Sequence, residues 1–215
     1  MAEQSAERTR DAERTREAIL TAAEDAFAGT GFEGASLHRI GEAAGVARST
    51  PAYFFGSKEA LYDAVLARVI ERGQEAMARA YARIDAADTP EDAVDQFIAA
   101  LVDFFGHDRN FIHLIQREAL GHGSRAAEFF SRSVAEAVTA LAPAAKKAGI
   151  SPQRLVLDLV ALAWYPFAHE HTLLPALGIK ARAPAFVEEQ KQHLGNLVRA
   201  MTRPGGARSA RRRRS

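Results

Sequence analysis

Apolar residues in this chain recur at intervals of three and four, and no convincing run alternates at intervals of two. Side chains spaced that way share one face of an α-helix, whereas a half-buried strand needs strict alternation. The expected fold class is therefore all-α. Ile19, Ala22, Ala23, Ala26 and Phe27 form the first stripe, and Gly29 and Gly31 are placed to stop it. Ser36 can cap a short second helix with Leu37, Ile40 and Ala44 inward, broken at Gly45. A third short segment spans roughly Arg48 to Phe55, and Gly56-Ser57 punctuates again. Ser57 then opens a long fourth helix with Leu61, Val65, Leu66 and Val69 on one side. These segments predict a compact head.

The remainder reads as larger helices with plain start signals. Thr89-Pro90-Glu91-Asp92 supplies a cap, a proline at the first helical position and acids for the helix dipole. Phe97, Leu101, Phe104 and Phe105 line that helix, and Asp108 can cap the next, with Phe111, Leu114 and Ile115 inward. Ser124 starts a helix expected to run to Lys146-Lys147 and end at Gly149. Ser151-Pro152 repeats the cap-then-proline signal before Leu155 to Phe167, a segment apolar nearly all round. Pro184 opens the last helix, and nothing after Pro204-Gly205-Gly206 can pack. About nine helices are expected, in four regions: a flexible arm at 1–14, a head at 15–60, a larger helical unit at 61–202 and a disordered tail at 203–215.

Charge divides the chain in the same places. Its net charge of +1 hides six arginines in the tail (Arg203, Arg208 and Arg211 to Arg214). Without them 22 basic residues stand against 27 acidic ones, so residues 1–202 sum to −5. The head is itself acidic, with six arginines and nine carboxylates in residues 1–56. There is no cysteine, which excludes disulfides, thiolate metal sites and cysteine nucleophiles. The longest apolar run, Leu159 to Ala168, is about half of what a membrane helix needs. The N-terminus alternates charges and lacks the apolar stretch of a secretory signal. A cytoplasmic protein is expected, with no membrane partner.

Two short helices joined at Ala44-Gly45-Val46 are the signature of a helix-turn-helix, whose second helix offers its first residues to the DNA major groove. Those residues are Arg48, Ser49, Thr50 and Pro51, with Tyr53 one turn on. Arg48 could read a guanine edge or bind phosphate. Ser36, Tyr53 and Lys58 lie where they could hold phosphates, aided by the amides near Ser57. Arg8 to Arg16 could reach an adjacent groove or simply remain a solvated arm.

The stretch from Thr15 to Leu66 resembles the TetR family of bacterial regulators. The resemblance rests on AEDAFAGTGFEGAS, IGEAAGV and YFFGSKEAL as they stand here. It implies a homodimeric, ligand-responsive regulator, usually a repressor, with a DNA-binding head and C-terminal helices holding an effector pocket and the dimer interface. Two departures matter. Ala47 stands where members commonly have a capping Ser or Thr, and Pro51-Ala52 where they often have an aliphatic and an aromatic residue. The recognition helix is accordingly expected to start late, with Thr50 as cap and Pro51 first in the helix, or to have an irregular first turn.

For the effector the sequence offers aromatics and a few polar groups between helices. The residues expected to line a pocket are Phe104, Phe111, Leu114, Ile115, Glu118, Phe130, Trp164, Phe167 and His169. His113, Gln116, Arg117, His122, Tyr165 and His171 are further polar candidates, and Glu118 beside Arg117 also reads as an ion pair. On a helix His169-Glu170-His171 cannot hold one metal ion, because residues two apart point to opposite sides; the two histidines could converge only if the helix has ended by His169. Dimerisation is expected through Leu155, Leu159, Leu162, Phe186, Val187, Gln190, Leu194, Leu197, Val198 and Met201. A dimer would present two recognition helices to an inverted-repeat operator. The alternative is a DNA-binding regulator without a small-molecule effector. No nucleophile–base pairing, phosphate loop or metal-ligand spacing supports an enzyme, and no cofactor is expected.

Overall fold

A computed structural model describes residues 2–120 and 124–202. The basic tail, with its expected disorder, and His122 lie outside the described residues. Eleven helical segments and no strand occur among those described. In order they are α1 (Ala2–Gly34), α2 (Leu37–Ala43), α3 (Thr50–Phe55), α4 (Lys58–Asp85), α5 (Pro90–His107) and α6 (Arg109–Leu120). Then follow α7 (Ser124–Ala140), α8 (Ala142–Ala148), α9 (Pro152–Ala168), α10 (Leu173–Ala176) and α11 (Pro184–Thr202).

The caps anticipated from side-chain chemistry form. Ser36, Ser57, Thr89 and Ser151 each accept a bond from the amide three residues on, at 3.1 to 3.3 Å. Asp108 Oδ1 does the same for the Phe111 amide at 2.9 Å. Each satisfies one of the amides that a helix start leaves without an intrahelical partner.

Four boundaries differ from the sequence reading. Gly31, at φ 76°, breaks α1, while Gly29 stays within the helix. The helix expected from Ser124 to Gly149 is two, α7 and α8, joined at Leu141. Pro143 lies in the first turn of α8, where its missing N–H costs nothing, and it could not have continued the preceding helix. A single extra turn, α10, fills the connection after α9. Residues 2–14, expected as an arm, extend α1 as helix, exposed over residues 6–14, with Arg14 pairing with Asp11 one turn away.

The 28-residue α4 spans about 42 Å and touches both halves. Its start packs with α1 and α3 around Ile19, Phe27, Ile40, Leu61 and Val65, all essentially inaccessible. Farther on it packs against α5, α6 and α7. Midway, Gly73 lets aromatic rings approach the helix backbone: a Cβ there would meet Phe111 at 2.7 Å and Phe129 at 3.0 Å. Helices α9 and α11 close the far side on α5.

Head and body are also joined by charge. Glu24 of α1 is only 6% exposed. It accepts bonds from Arg68 (2.6 and 3.1 Å) and Arg72 (2.7 and 2.9 Å) of α4, and from Asn110 of α6 (3.2 Å). Burial alone would raise its pKa; the bonds and charges of Arg72 and Arg68 outweigh that and lower it. Three elements thus converge on one carboxylate.

Candidate DNA-binding surface and ligand compartment

The α2–α3 pair has helix-turn-helix geometry. Gly45 takes φ 69°, and the Val46 amide donates back to the Gly41 carbonyl at 3.0 Å, closing the turn. Gly41 is the contact point between the helices: a Cβ there would lie 3.1 Å from the Ala47 carbonyl and 3.3 Å from Pro51 Cδ. The recognition helix does begin late, at Thr50, whose amide bonds the Ala47 carbonyl in a tight turn. The cap is displaced by one residue from expectation. Ser49, not Thr50, holds that position, and its αR backbone makes no side-chain capping bond.

Among the residues proposed for DNA, Arg48, Ser49 and Tyr53 are exposed and Thr50 half-buried, with Tyr53 at 86% exposure. Pro51 is buried against Gly41, so it sets how closely α3 approaches α2 and cannot touch DNA. Ser36 Oγ accepts the Arg39 amide and keeps its hydroxyl proton for an outside acceptor. The Lys58 ammonium lies 4.4 Å over the Phe32 ring. At the start of α4, its own backbone amide and Ser57 hold the Glu59 carboxyl below the usual carboxylate range, so the first turn of that helix carries a negative charge. On the arm, Arg16 lies 4.7 Å over the Phe55 ring.

One participant escaped the sequence reading. Glu42 of α2 receives Arg48 Nη2 at 2.7 Å and has His38 at 3.8 Å. The bond crosses the turn, and its only trace in sequence is an acid six residues before the arginine.

The body holds two kinds of space. Between α4, α5, α7 and α9 lies an apolar cavity of about 30 Å³. Of the expected pocket residues, Phe104, Phe111 and Phe130 line it. Trp164 packs edge-on against Phe105 at 5.1 Å, outside the lining. Leu114, Ile115 and Phe167 are buried in the core and do not reach the cavity, and neither does Glu118. His169 ends α9 and stacks on Tyr165 at 4.3 Å, also away from it. The cavity's polar residues are Tyr81 and Ser133, and the Tyr81 hydroxyl donates to the Ser133 carbonyl. Burial, then the charge of Glu136, push its pKa up to about 12.

The second space is a polar groove of about 750 Å³ between α1 and α6, lined by His113, Gln116, Arg117 and His171 among others. Arg117 does not pair with Glu118; it donates to the Ala28 and Gly29 carbonyls of α1. Burial lowers the pKa of His113. His171 turns toward His113, 6.5 Å between rings, while His169 faces Tyr165, so the two histidines diverge.

The proposed interface divides by burial. Leu155, Leu159, Leu194 and Val198 are buried within the chain and unavailable to a partner, because α9 and α11 use those sides to pack on α5 and on each other. Leu162, Leu197 and Met201 remain 38–43% exposed, with Phe186, Val187 and Gln190 half-buried. Leu157 and Tyr165 extend the exposed face. Gln190 Nε2 donates to the Leu162 carbonyl at 3.0 Å, tying the two helices together. No helix among the described residues is long and apolar enough to cross a membrane.

Comparison with known proteins agrees with this arrangement. Residues 19–65 match the family described as bacterial regulatory proteins, tetR family, and residues 90–198 match the tetracyclin repressor-like C-terminal domain. The HTH-type transcriptional repressor NicS of Pseudomonas putida is 34% identical over 119 residues, 55% of each chain. The match thus spans about half of that relative's length. The ketosteroid transcriptional regulator KstR2 of Mycobacterium tuberculosis superposes with TM-score 0.67 at 17% identity, covering 88% of this chain and 95% of that one. AibR, solved with isovaleryl coenzyme A and operator DNA, superposes with TM-score 0.65 at 16% identity, covering 85% and 97%.

Proposed function

Because the chain belongs to the TetR family of bacterial regulatory proteins, whose members bind operator DNA as dimers and are not enzymes, we propose that it is a cytoplasmic transcriptional repressor controlled by a small, largely apolar effector. The observation that carries the DNA-binding part is the recognition helix itself. It stands against α2 through Gly41 and Pro51 and presents Tyr53, Arg48 and Ser49 outward. Dimerisation through Leu162, Leu197 and Met201 would set two such helices about one DNA turn apart, so the operator is an inverted repeat. Effector release needs a ligand that binds a non-operator spacing of the heads more tightly than the operator-bound one. The α4 helix, which touches head and body alike, is the lever for that change.

In-vitro selection of bound duplexes tests this reading. An inverted repeat should emerge, and Arg48→Ala should weaken its binding by about 1–3 kcal/mol if Arg48 reads a base. An equal loss on random DNA would make Arg48 a phosphate contact. Failure to enrich any duplex would overturn the function. A second reading has a specific observation in its favour: a cavity of about 30 Å³ holds no more than about one water molecule. A regulator that answers to a partner protein instead of an apolar ligand would keep such a body closed. A panel of apolar metabolites that neither binds nor changes operator affinity would favour that alternative.

A further inference from the structure

Along one side of α6, Arg109, His113 and Arg117 repeat every four residues, which spreads three nitrogen-rich side chains over about 12 Å of helix. All three line the groove of about 750 Å³, whose opposite wall is Asp25, Ala28 and Gly29 of α1. One wall therefore belongs to the head and the other to the body.

The polar cluster beside the groove is incompletely paired. Glu170, 6% exposed, is held by Arg182 Nε at 2.7 Å through Oε2. Its Oε1 has Arg109 Nε at 2.8 Å but no aligned hydrogen bond, and Arg182 Nη2 is likewise buried without a partner. Arg109 is thus ion-paired with Glu170 through Nε, while half of its side chain stays exposed on the groove. Asp25 already takes the Asn110 amide at 2.8 Å. Arg109 and Arg117 on the groove and Arg182 beside it outnumber Asp25 and Glu170; Arg117 meets only neutral carbonyls, of Ala28 and Gly29, and His113 and His171 add further donors. What this place lacks is a negatively charged acceptor.

We propose that the groove between α1 and α6 binds a small organic anion, a carboxylate or a phosphate ester, held by Arg109, His113 and Arg117. Guanidinium forks suit both groups, because each offers two oxygens at the spacing of paired N–H donors. An anion seated there touches both walls and fixes the head relative to the body, so operator affinity changes with its occupancy. That consequence rests on the DNA-binding reading above; the binding itself does not.

The test is titration calorimetry on the full chain with sodium benzoate and, separately, inorganic phosphate, at constant ionic strength balanced with chloride. Saturable binding of at least one, with one site per protomer and a Kd of about 1 mM or lower, is expected. Benzoate alone saturating assigns a carboxylate, and phosphate alone a phosphate ester. Arg109→Gln should weaken binding about tenfold or more, while Arg154→Gln, exposed on α9 and paired with Asp158, should leave it unchanged. If Arg109→Gln does not fold, Arg117→Lys keeps the charge, loses the fork and should cost about threefold or more. The site is overturned if neither anion saturates, or if the folded groove variant binds as tightly as the unsubstituted chain. Operator affinity measured with and without the saturating anion separates the two claims. No change would remove the coupling, whereas an anion-free chain that binds no selected duplex would overturn the DNA-binding reading and leave the site standing.

Discussion

Replacing Glu24 with glutamine keeps the shape at the junction of α1, α4 and α6 and removes its charge. Breaking a buried ion pair costs about 3–5 kcal/mol, because the remaining charge is left without compensation. Here the loss is smaller. Arg68 and Arg72 are 20% and 35% exposed, and each keeps another carboxylate, Glu17 and Asp108 respectively. With solvent and those partners offsetting part of the penalty, about 2–3 kcal/mol is expected. For a chain of this size that lowers Tm by about 4–12 °C. The pH dependence gives a second, independent check. The folded carboxyl titrates below its ordinary value of 4.5, so its contribution is full above that value and is lost as pH falls through the folded pKa. Thermal denaturation of both proteins at equal protomer concentration should show a gap at pH 7 that narrows below about pH 4.5. Equal melting temperatures at pH 7, or a gap that stays constant as the solution is acidified through the carboxylate range, would refute the reasoning.

Three further outcomes follow from the geometry. Glu42→Gln frees Arg48 from its 2.7 Å partner and removes a charge that repels phosphate; binding to random DNA should tighten, by about threefold to tenfold in a low-salt mobility assay. Gly73→Ala drives a methyl group into Phe111 at 2.7 Å and should cost about 1–3 kcal/mol by chemical denaturation, with near-ultraviolet dichroism reporting displaced aromatics. Leu197→Glu puts a charge at the centre of the exposed α9–α11 face, so ultracentrifugation should show more monomer at micromolar concentration with helicity retained. The same substitution at the exposed Leu120, away from that face, should leave the association state unchanged.

Much of this molecule was legible in one dimension because its signals are local. A cap bonds an amide three residues away, and a helical stripe repeats within two turns. Ser36, Ser57, Thr89, Asp108 and Ser151 therefore marked their helices correctly, and Gly45 marked the turn between α2 and α3. The late recognition helix was readable for the same reason: proline at 51 limits where the helix can begin. The misplaced details were also local, but ambiguous. Either of two glycines could end α1, and either Ser49 or Thr50 could stand before the proline.

Which side of a helical stripe faces inward is a different question, and only the tertiary structure answered it. Leu155 and Leu197 look equally apolar in sequence, yet the packing of neighbouring helices buries the first and leaves the second to solvent. How little space the aromatics around the apolar cavity leave was equally invisible, because it depends on Gly73 letting Phe111 and Phe129 close onto α4. Glu24, Arg68, Arg72 and Asn110, spread over 86 residues, meet at one carboxylate. Local chemistry determined the helices, their caps and the helix-turn-helix. Long-range packing decided which faces remained free, since burial is a property of what lies across a contact and not of the residue that makes it.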